Sequence, residues 1–391
     1  MNKKVILAKN EERRILAGHL WIFSNEIFKV SDNLQNGDIV DVESFNGKYL
    51  GTGFFNKNSL ISVRIFSKIK NKDTNDILTE NIHNAFLLRK KYLKNRNSYR
   101  LTFSESDLLP GLIIDKYNYT FVMQINSFGM EKNISPIINY LITELKAKNI
   151  FTKNESYFRK LEGLDDNDKV YLGTNEVNEI ITDGNVYYQI KFNNSQKTGF
   201  FFDQVDNRIY ASKFCKDADV LDLFANSGGF GLNALKAGAN HVTFVDYSEN
   251  EIDNIKNNLT LNNFFDKFDL ITDDAFTYLE KQISNGKKFD VVMVDPPAFT
   301  KSKKNLKNAI MGYEKLNNLA LKCVRNMGLF VTSSCSHHLT KDEFIKIVNK
   351  AALKNNKVAK LLYFNTAGPD HPTNPAMEET SYLKFAIFNI I

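Results

Sequence analysis

The strongest constraint on this chain is the alternation of short apolar runs with amphipathic stretches from about residue 185 onward. Residues 220–224 (Val-Leu-Asp-Leu-Phe) read as a strand, followed by a glycine turn and a helix that ends near Gly238. Residues 241–246 form the next strand. Ser248 and Glu251 have capping-box spacing ahead of Ile252, Ile255 and Leu259, which recur on one helical face. A short strand over 269–272 precedes the apolar run 289–295, whose composition fits a central parallel strand. A long helix follows, with Ile310, Leu316, Leu319, Ala320 and Cys323 mostly on one side. Residues 328–333 read as a further strand, and Thr340 with Glu343 caps another helix. Residues 361–364 and 382–388 look like a strand pair joined by a Pro-rich loop. Strands separated by helices imply a doubly wound α/β sheet.

In such a sheet, ligands bind outside the carboxyl ends of the strands. Here each strand end carries a polar group. Asp222 leads into Ala225-Asn226-Ser227-Gly228-Gly229, whose small residues let backbone approach a ligand closely. The second strand ends in Asp246, a carboxylate able to accept from both hydroxyls of a ribose. The third leads to Asp273-Asp274-Ala275, and the fourth to Asp295-Pro296-Pro297-Ala298-Phe299. The G-x-G-x-x-G spacing of a dinucleotide site is absent, as is a P-loop. Helix capping would explain any one of these aspartates, but it explains four in order poorly. The series resembles class I S-adenosylmethionine-dependent methyltransferases. That resemblance implies that the turn through Asn226, Ser227 and Gly228 passes the methionine part. It implies that Asp246 takes the ribose, that Tyr247 packs beside the adenine and that Asp274 with Ala275 meets the adenine edge.

The fifth strand closes on Ser333-Ser334-Cys335-Ser336-His337-His338. This places Cys335 at the substrate edge, near Asp295. A thiolate there can act as a nucleophile. Carbon 5 of cytosine is not nucleophilic until a thiolate adds to carbon 6, and Asp295 can hold the protonated ring nitrogen during that attack. The other reading is that Cys335 is simply a small strand residue, since free cysteine is often buried and inert. Phe299 could stack on a target base or serve as a core aromatic. Cys215 precedes the first strand and Cys323 lies on an apolar helix face, so both are weaker candidates. His337 and His338 lack a spaced third ligand, and no metal is assigned.

The preceding residues read differently. Residues 1–70 hold short strands and an Asn46-Gly47 hairpin signal. Residues 71–175 mix helices over 77–95 and 134–146 with two strands around a turn at 116–118, and 165–168 is a polar break. At roughly 100–200 residues per domain, 391 residues suggest two to four domains. Of the net charge of +6, residues 1–70 carry 11 Lys/Arg against 7 Asp/Glu, and 71–175 carry 15 against 13, while the remainder balances at 25 against 25. This is weak evidence for a polyanionic partner on the first two parts. Hydrophobic residues at 43% exclude global disorder. The apolar runs are too short to span a bilayer and the basic start too short for a signal peptide, so a cytoplasmic protein with no membrane partner is expected. Three cysteines without paired spacing exclude a disulfide scaffold.

Several blocks point to one family over nearly the whole length. They are Gly18-His19-Leu20-Trp21-Ile22-Phe23-Ser24-Asn25-Glu26-Ile27, Asp107-Leu108-Leu109-Pro110-Gly111-Leu112-Ile113-Ile114-Asp115-Lys116, and the Gln196-Lys197-Thr198-Gly199-Phe200-Phe201-Phe202-Asp203-Gln204 block running to Arg208. The Asp295-Pro296-Pro297 and Ser334-Cys335-Ser336 motifs, with Gly368-Pro369-Asp370-His371-Pro372, complete the set. The chain resembles the PUA-domain-containing RlmI-like family of bacterial 23S rRNA (cytosine-5) methyltransferases. The resemblance implies an N-terminal β-barrel PUA domain over 1–70, a mixed α+β middle domain over 71–180 and a Rossmann-like methyltransferase domain over 181–391. It implies S-adenosylmethionine as cofactor, Lys197, Phe200, Asp203 and Arg208 as further cofactor-pocket residues, and large-subunit rRNA as partner. Related enzymes are often dimers, which leaves a homodimer among the open oligomeric states. Glu155-Ser156-Tyr157 departs from the family's Arg-Ser-Asp. Pro297 stands where other RNA cytosine-5 methyltransferases carry a second cysteine, so the base that removes the carbon 5 proton must be another group. Two rival readings are a same-fold methyltransferase acting on a base nitrogen, which needs no thiol, and a non-catalytic RNA-binding assembly factor.

Overall fold

A computed structural model describes residues 3–194, 197–300 and 303–391. The chain divides into two compact units. One comprises Met1–Ile181, Ile190–Phe200 and Pro369–Thr380, and the other Thr182–Gln189, Phe201–Gly368 and Ser381–Ile391.

The first unit carries two sheets. Its six-stranded sheet runs in the order Trp21–Phe23, Ile61–Ser67, Tyr49–Phe55, Ile39–Glu43, Lys3–Leu7, Ile27–Val30. The hairpin between Ile39–Glu43 and Tyr49–Phe55 turns at Gly47, whose φ of +80° is the conformation an Asn-Gly turn requires. Val5, Leu7, Ile22, Val40, Val42, Val63 and Ile65 form its core, joined by Met377 from the late loop. The five-stranded sheet runs Val170–Leu172, Asn149–Thr152, Thr120–Ile125, Leu112–Tyr117, Ser98–Phe103. The helices Thr74–Tyr92 and Ser135–Thr143 contribute to its core. The first helix starts earlier than its apolar spacing predicts, because the Asp73 carboxylate accepts from the N–H groups of Asn75 and Asp76. Its buried Arg89 forks onto Asp107 (2.5 and 2.8 Å) and also donates to the Asp370 carbonyl (2.7 Å). His371 Nδ1 lies 2.9 Å from the Asp370 carboxylate, so the Pro-Asp-His motif helps bind this unit together.

The second unit is built on a seven-stranded sheet in the order Phe268–Thr272, His241–Asp246, Asp219–Leu223, Phe289–Val294, Val324–Ser334, Lys384–Ile390, Ala359–Asn365. The first five strands are parallel and the last two pair antiparallel, with Lys384–Ile390 inserted between its neighbours. This is the doubly wound arrangement that the alternation predicts. Leu221, Val292, Val294, Phe330, Leu316, Ala320, Phe344 and Val348 bury the helix–sheet interface. Each large apolar side chain buried in this way contributes about 1.5–3 kcal/mol. Gly231 lets the helix Gly229–Lys236 approach the sheet, since a Cβ there would stand 2.1 Å from the Phe244 ring. The capping box at Thr340 and Glu343 is complete. At Ser248 only half forms: its side chain accepts from Glu251 N–H, but the Glu251 carboxylate accepts from Asn254.

Candidate cofactor and substrate site

The turn after Asp219–Leu223 has three residues with left-handed backbone, Phe224 (φ +61°), Asn226 (+49°) and Gly228 (+82°). Two of them are not glycine, a strain concentrated where sites are built. Neighbouring groups hold the turn in place. Asp246 Oδ2 accepts from Asn226 N–H (2.9 Å) and its Oδ1 from Ser248 N–H (3.0 Å). Asn258, fully buried in the helix Glu249–Leu261, donates to the Ser227 carbonyl (3.0 Å). The Asp246 carboxylate is therefore oriented by two backbone donors, with one further lone pair on each oxygen for a ligand.

Asp222 is buried and accepts from Gly231 N–H (2.8 Å). Burial is the main cause that pushes its carboxyl up to about 7, with Gly231 opposing and Asp295 reinforcing the rise. A carboxyl raised in the fold above its unfolded value of roughly 3.9 holds its proton better when folded. Stability is then lost as pH rises through about 4 to about 7. Asp222→Asn keeps the acceptor for Gly231 and removes the charge. In the cofactor-free chain it is expected to melt above wild type at pH 7.5 and to converge with it near pH 4, as thermal unfolding across that range would show.

Asp295 follows the strand Phe289–Val294 and is half-buried. Its Oδ1 accepts from Gln204 Nε2 (2.9 Å) and from Ser333 Oγ. Burial raises its carboxyl above the ordinary range, against the Ser333 bond and nearby Arg208, while Asp203 adds to the rise. Asp203 is itself buried. Its Oδ2 accepts from Tyr382 OH (2.5 Å), and no described group reaches its buried Oδ1. Arg208 lies buried against Phe230, with its guanidinium 5.7 Å from the ring centre, and acts electrostatically on Asp222 and Asp295.

The Gln196 to Arg208 block is divided between the units. Lys197, exposed and left-handed at φ +47°, and buried Phe200 belong to the first unit. There Thr198 Oγ1 donates to Asp115, and Tyr117 OH accepts from Phe200 N–H (2.8 Å). Asp203 and Arg208 belong to the second unit. Gln196 lies outside the described residues. Tyr247 is exposed beyond Asp246, and buried Ala275 opens the helix Ala275–Ser284. The Asp274 carboxylate caps that helix, accepting from Phe276 and Thr277 N–H (both 3.0 Å).

Cys335 follows the strand Val324–Ser334, which pairs in parallel with the Asp295 strand, Val294 opposite Thr332. Two buried serines flank it. Ser334 Oγ donates to Tyr313 OH (2.9 Å), and Tyr313 OH lies 3.0 Å from Ser336 Oγ. Cys335 is half-buried, whereas Cys215 and Cys323 are buried. Burial pushes those two thiols up to about 12 and about 11, which suppresses their thiolates at neutral pH. The Phe299 ring stacks on Tyr313, with centroids 4.5 Å apart. Among the described residues no group of three His, Cys, Asp or Glu is arranged to hold a metal, and no helix is long and apolar enough to cross a membrane.

Sequence reasoning missed several groups at this edge: Asn258, Ser333, Tyr313, Tyr382 and Lys384. The one local signal was a lone lysine heading the apolar strand Lys384–Ile390.

A family model for a PUA-like domain matches residues 5–68, and one described as conserved hypothetical protein 95 matches residues 189–351. Ribosomal RNA large subunit methyltransferase I of Vibrio parahaemolyticus is 35% identical over 390 residues, covering 98% of each chain. The protein of the same name from Tolumonas auensis is 35% identical over 402 residues and covers both chains fully. Among solved structures, a protein assigned as a methyltransferase and crystallised with SAH has a TM-score of 0.83 at 20% identity, covering 99% of each chain, a likeness of fold. This chain belongs to the ribosomal RNA large subunit methyltransferase I family.

Proposed function

We propose that this protein is an S-adenosylmethionine-dependent methyltransferase of large-subunit rRNA that methylates carbon 5 of a cytosine through a covalent Cys335 adduct. Family membership over the full length supports the cofactor and the rRNA substrate. The observation that carries the finer reading is the pairing of a half-buried cysteine with a raised carboxyl, Asp295, at the ends of adjacent strands.

The residues present fit the cofactor. Asp246 is oriented with lone pairs to spare, and the strained turn through Asn226, Ser227 and Gly228 leaves backbone close to that carboxylate. Buried Asp203 Oδ1 supplies a further acceptor. Asp246 would take the ribose, and Asp222 and Arg208 would shape the methionine end. Tyr247, Asp274 and Ala275 would border the adenine. S-adenosylmethionine supplies an electrophilic methyl group.

The Cys335 thiolate forms a bond to carbon 6 of the ring. Asp295, raised toward its protonated form, donates to the ring nitrogen as charge develops there. Carbon 5 then carries the electron density that takes the methyl group. Loss of the carbon 5 proton to a base re-forms the double bond and expels the thiolate. The target base must leave its stack to reach this edge. Residues 1–175, which hold the whole charge excess, would contact rRNA phosphates, while 181–391 performs the chemistry in the cytoplasm.

The test is nucleoside mass mapping of 23S rRNA from cells with and without the gene. One 5-methylcytidine should vanish from the deletion strain and return on adding purified protein with S-adenosylmethionine. A lost mark on a base nitrogen, or no lost mark, overturns the reading.

A further inference from the structure

Lys384 is the only charged residue in the strand Lys384–Ile390, and it is buried. Burying an ammonium is costly unless it is well partnered. It pairs directly opposite Ser334 in antiparallel register, one residue from Cys335. Its Nζ donates to the carbonyls of Ser336 (2.6 Å) and Tyr382 (2.7 Å), the first belonging to the residue after Cys335. Two N–H groups are thus engaged whether the amine is neutral or charged, and the remaining position holds either a lone pair or a third N–H. Cys335 lies within electrostatic reach of this amine.

We propose that Lys384 is the positioning residue that activates Cys335: its amine takes the thiol proton, the S–H bond breaking as the N–H bond forms, and the resulting ammonium holds the thiolate beside it. The proposal rests on the reading of Cys335 as the nucleophile. Burial brings the Lys384 amine down to about 8, close to the ordinary thiol value of roughly 8.5, so the proton can be exchanged between the two near neutral pH.

Four titratable groups near the pair are already engaged or exposed. Tyr313, on the helix Leu306–Cys323, faces Cys335 with a hydroxyl pushed above its usual range, mainly by burial, and bonded to both flanking serines. Glu343, at the start of the helix Lys341–Lys354, acts on Lys384 and favours its charged form, but its Oε2 accepts from Thr340 N–H and Oγ1 (both 2.8 Å). Asp295, at the neighbouring strand end, is bonded by Gln204 and Ser333. His337 is exposed, 3.3 Å from the Ser381 carbonyl. Lys384 combines burial, a fixed amine and a place opposite the residue before the thiol.

The experiment is peptide-resolved alkylation of Cys335 by iodoacetamide in the full chain, across pH. In wild type the rate should inflect below the ordinary thiol value of roughly 8.5. Lys384→Gln should raise the inflection by at least about one unit and slow alkylation at pH 7 roughly tenfold, with unchanged S-adenosylmethionine affinity. Lys384→Arg, which keeps the positive charge, should restore part of the shift. A wild-type inflection at or above the ordinary value overturns the proposal, as does a Lys384→Gln profile that overlays wild type. The wild-type inflection decides the matter even if Lys384→Gln fails to fold. Because alkylation needs no RNA, an ordinary thiol titration sinks the role of Lys384, whereas full methylation by Cys335→Ala sinks the nucleophile reading.

Discussion

Cys335→Ala is expected to lower the methylation rate by on the order of 10⁴-fold or more, because covalent addition is what makes carbon 5 reactive. Cofactor affinity should stay within about twofold of wild type by calorimetry, since the proposal places the thiol on the base and not on the cofactor. A second readout is direct. RNA carrying 5-fluorocytosine at the target has no removable proton at carbon 5, so wild type should remain covalently attached to it in denaturing gels. Cys335→Ala should form no such adduct. A variant that methylates at the wild-type rate would remove the cytosine-5 assignment and leave the base-nitrogen reading in its place.

Asp246→Ala should weaken S-adenosylmethionine binding by roughly 10- to 100-fold. A hydrogen bond to a charged group contributes about 1.5–3 kcal/mol, and each 1.4 kcal/mol is tenfold in affinity. The variant also loses the carboxylate that orients Asn226 and Ser248. Asp246→Asn is not a mild control, because its amide NH₂ would face one of the two backbone N–H donors. Calorimetry on the purified chain measures the effect directly. Affinity within about twofold of wild type, in a variant that melts normally, would remove Asp246 from the cofactor site.

Much of the second unit was legible because strand and helix periods differ and parallel strands are apolar throughout. The strand ends at Asp222, Asp246 and Asp295 follow from that alternation, since a parallel sheet aligns its carboxyl ends. The capping signal at Thr340 and Glu343 was read correctly because both partners lie within one helical turn. The same signal at Ser248 was only half right, because Asn254 competes for the Glu251 carboxylate. The Asp274 carboxylate shows the limit of the motif. Its side chain caps a helix, and the sequence carries no sign of how one oxygen divides its lone pairs between a backbone and a ligand.

The sequence by itself determined the architecture of the methyltransferase unit, the order of its acidic strand ends and the single cysteine worth testing. These depend on local periodicity and on residues near one another in the chain. Only the tertiary structure decided which groups tune them. Gln204 reaches Asp295 across 91 positions and Lys384 reaches the Ser336 carbonyl across 48. It also set the protonation tendencies, because burial, which no short motif encodes, raises Asp222 and Asp295 and lowers Lys384.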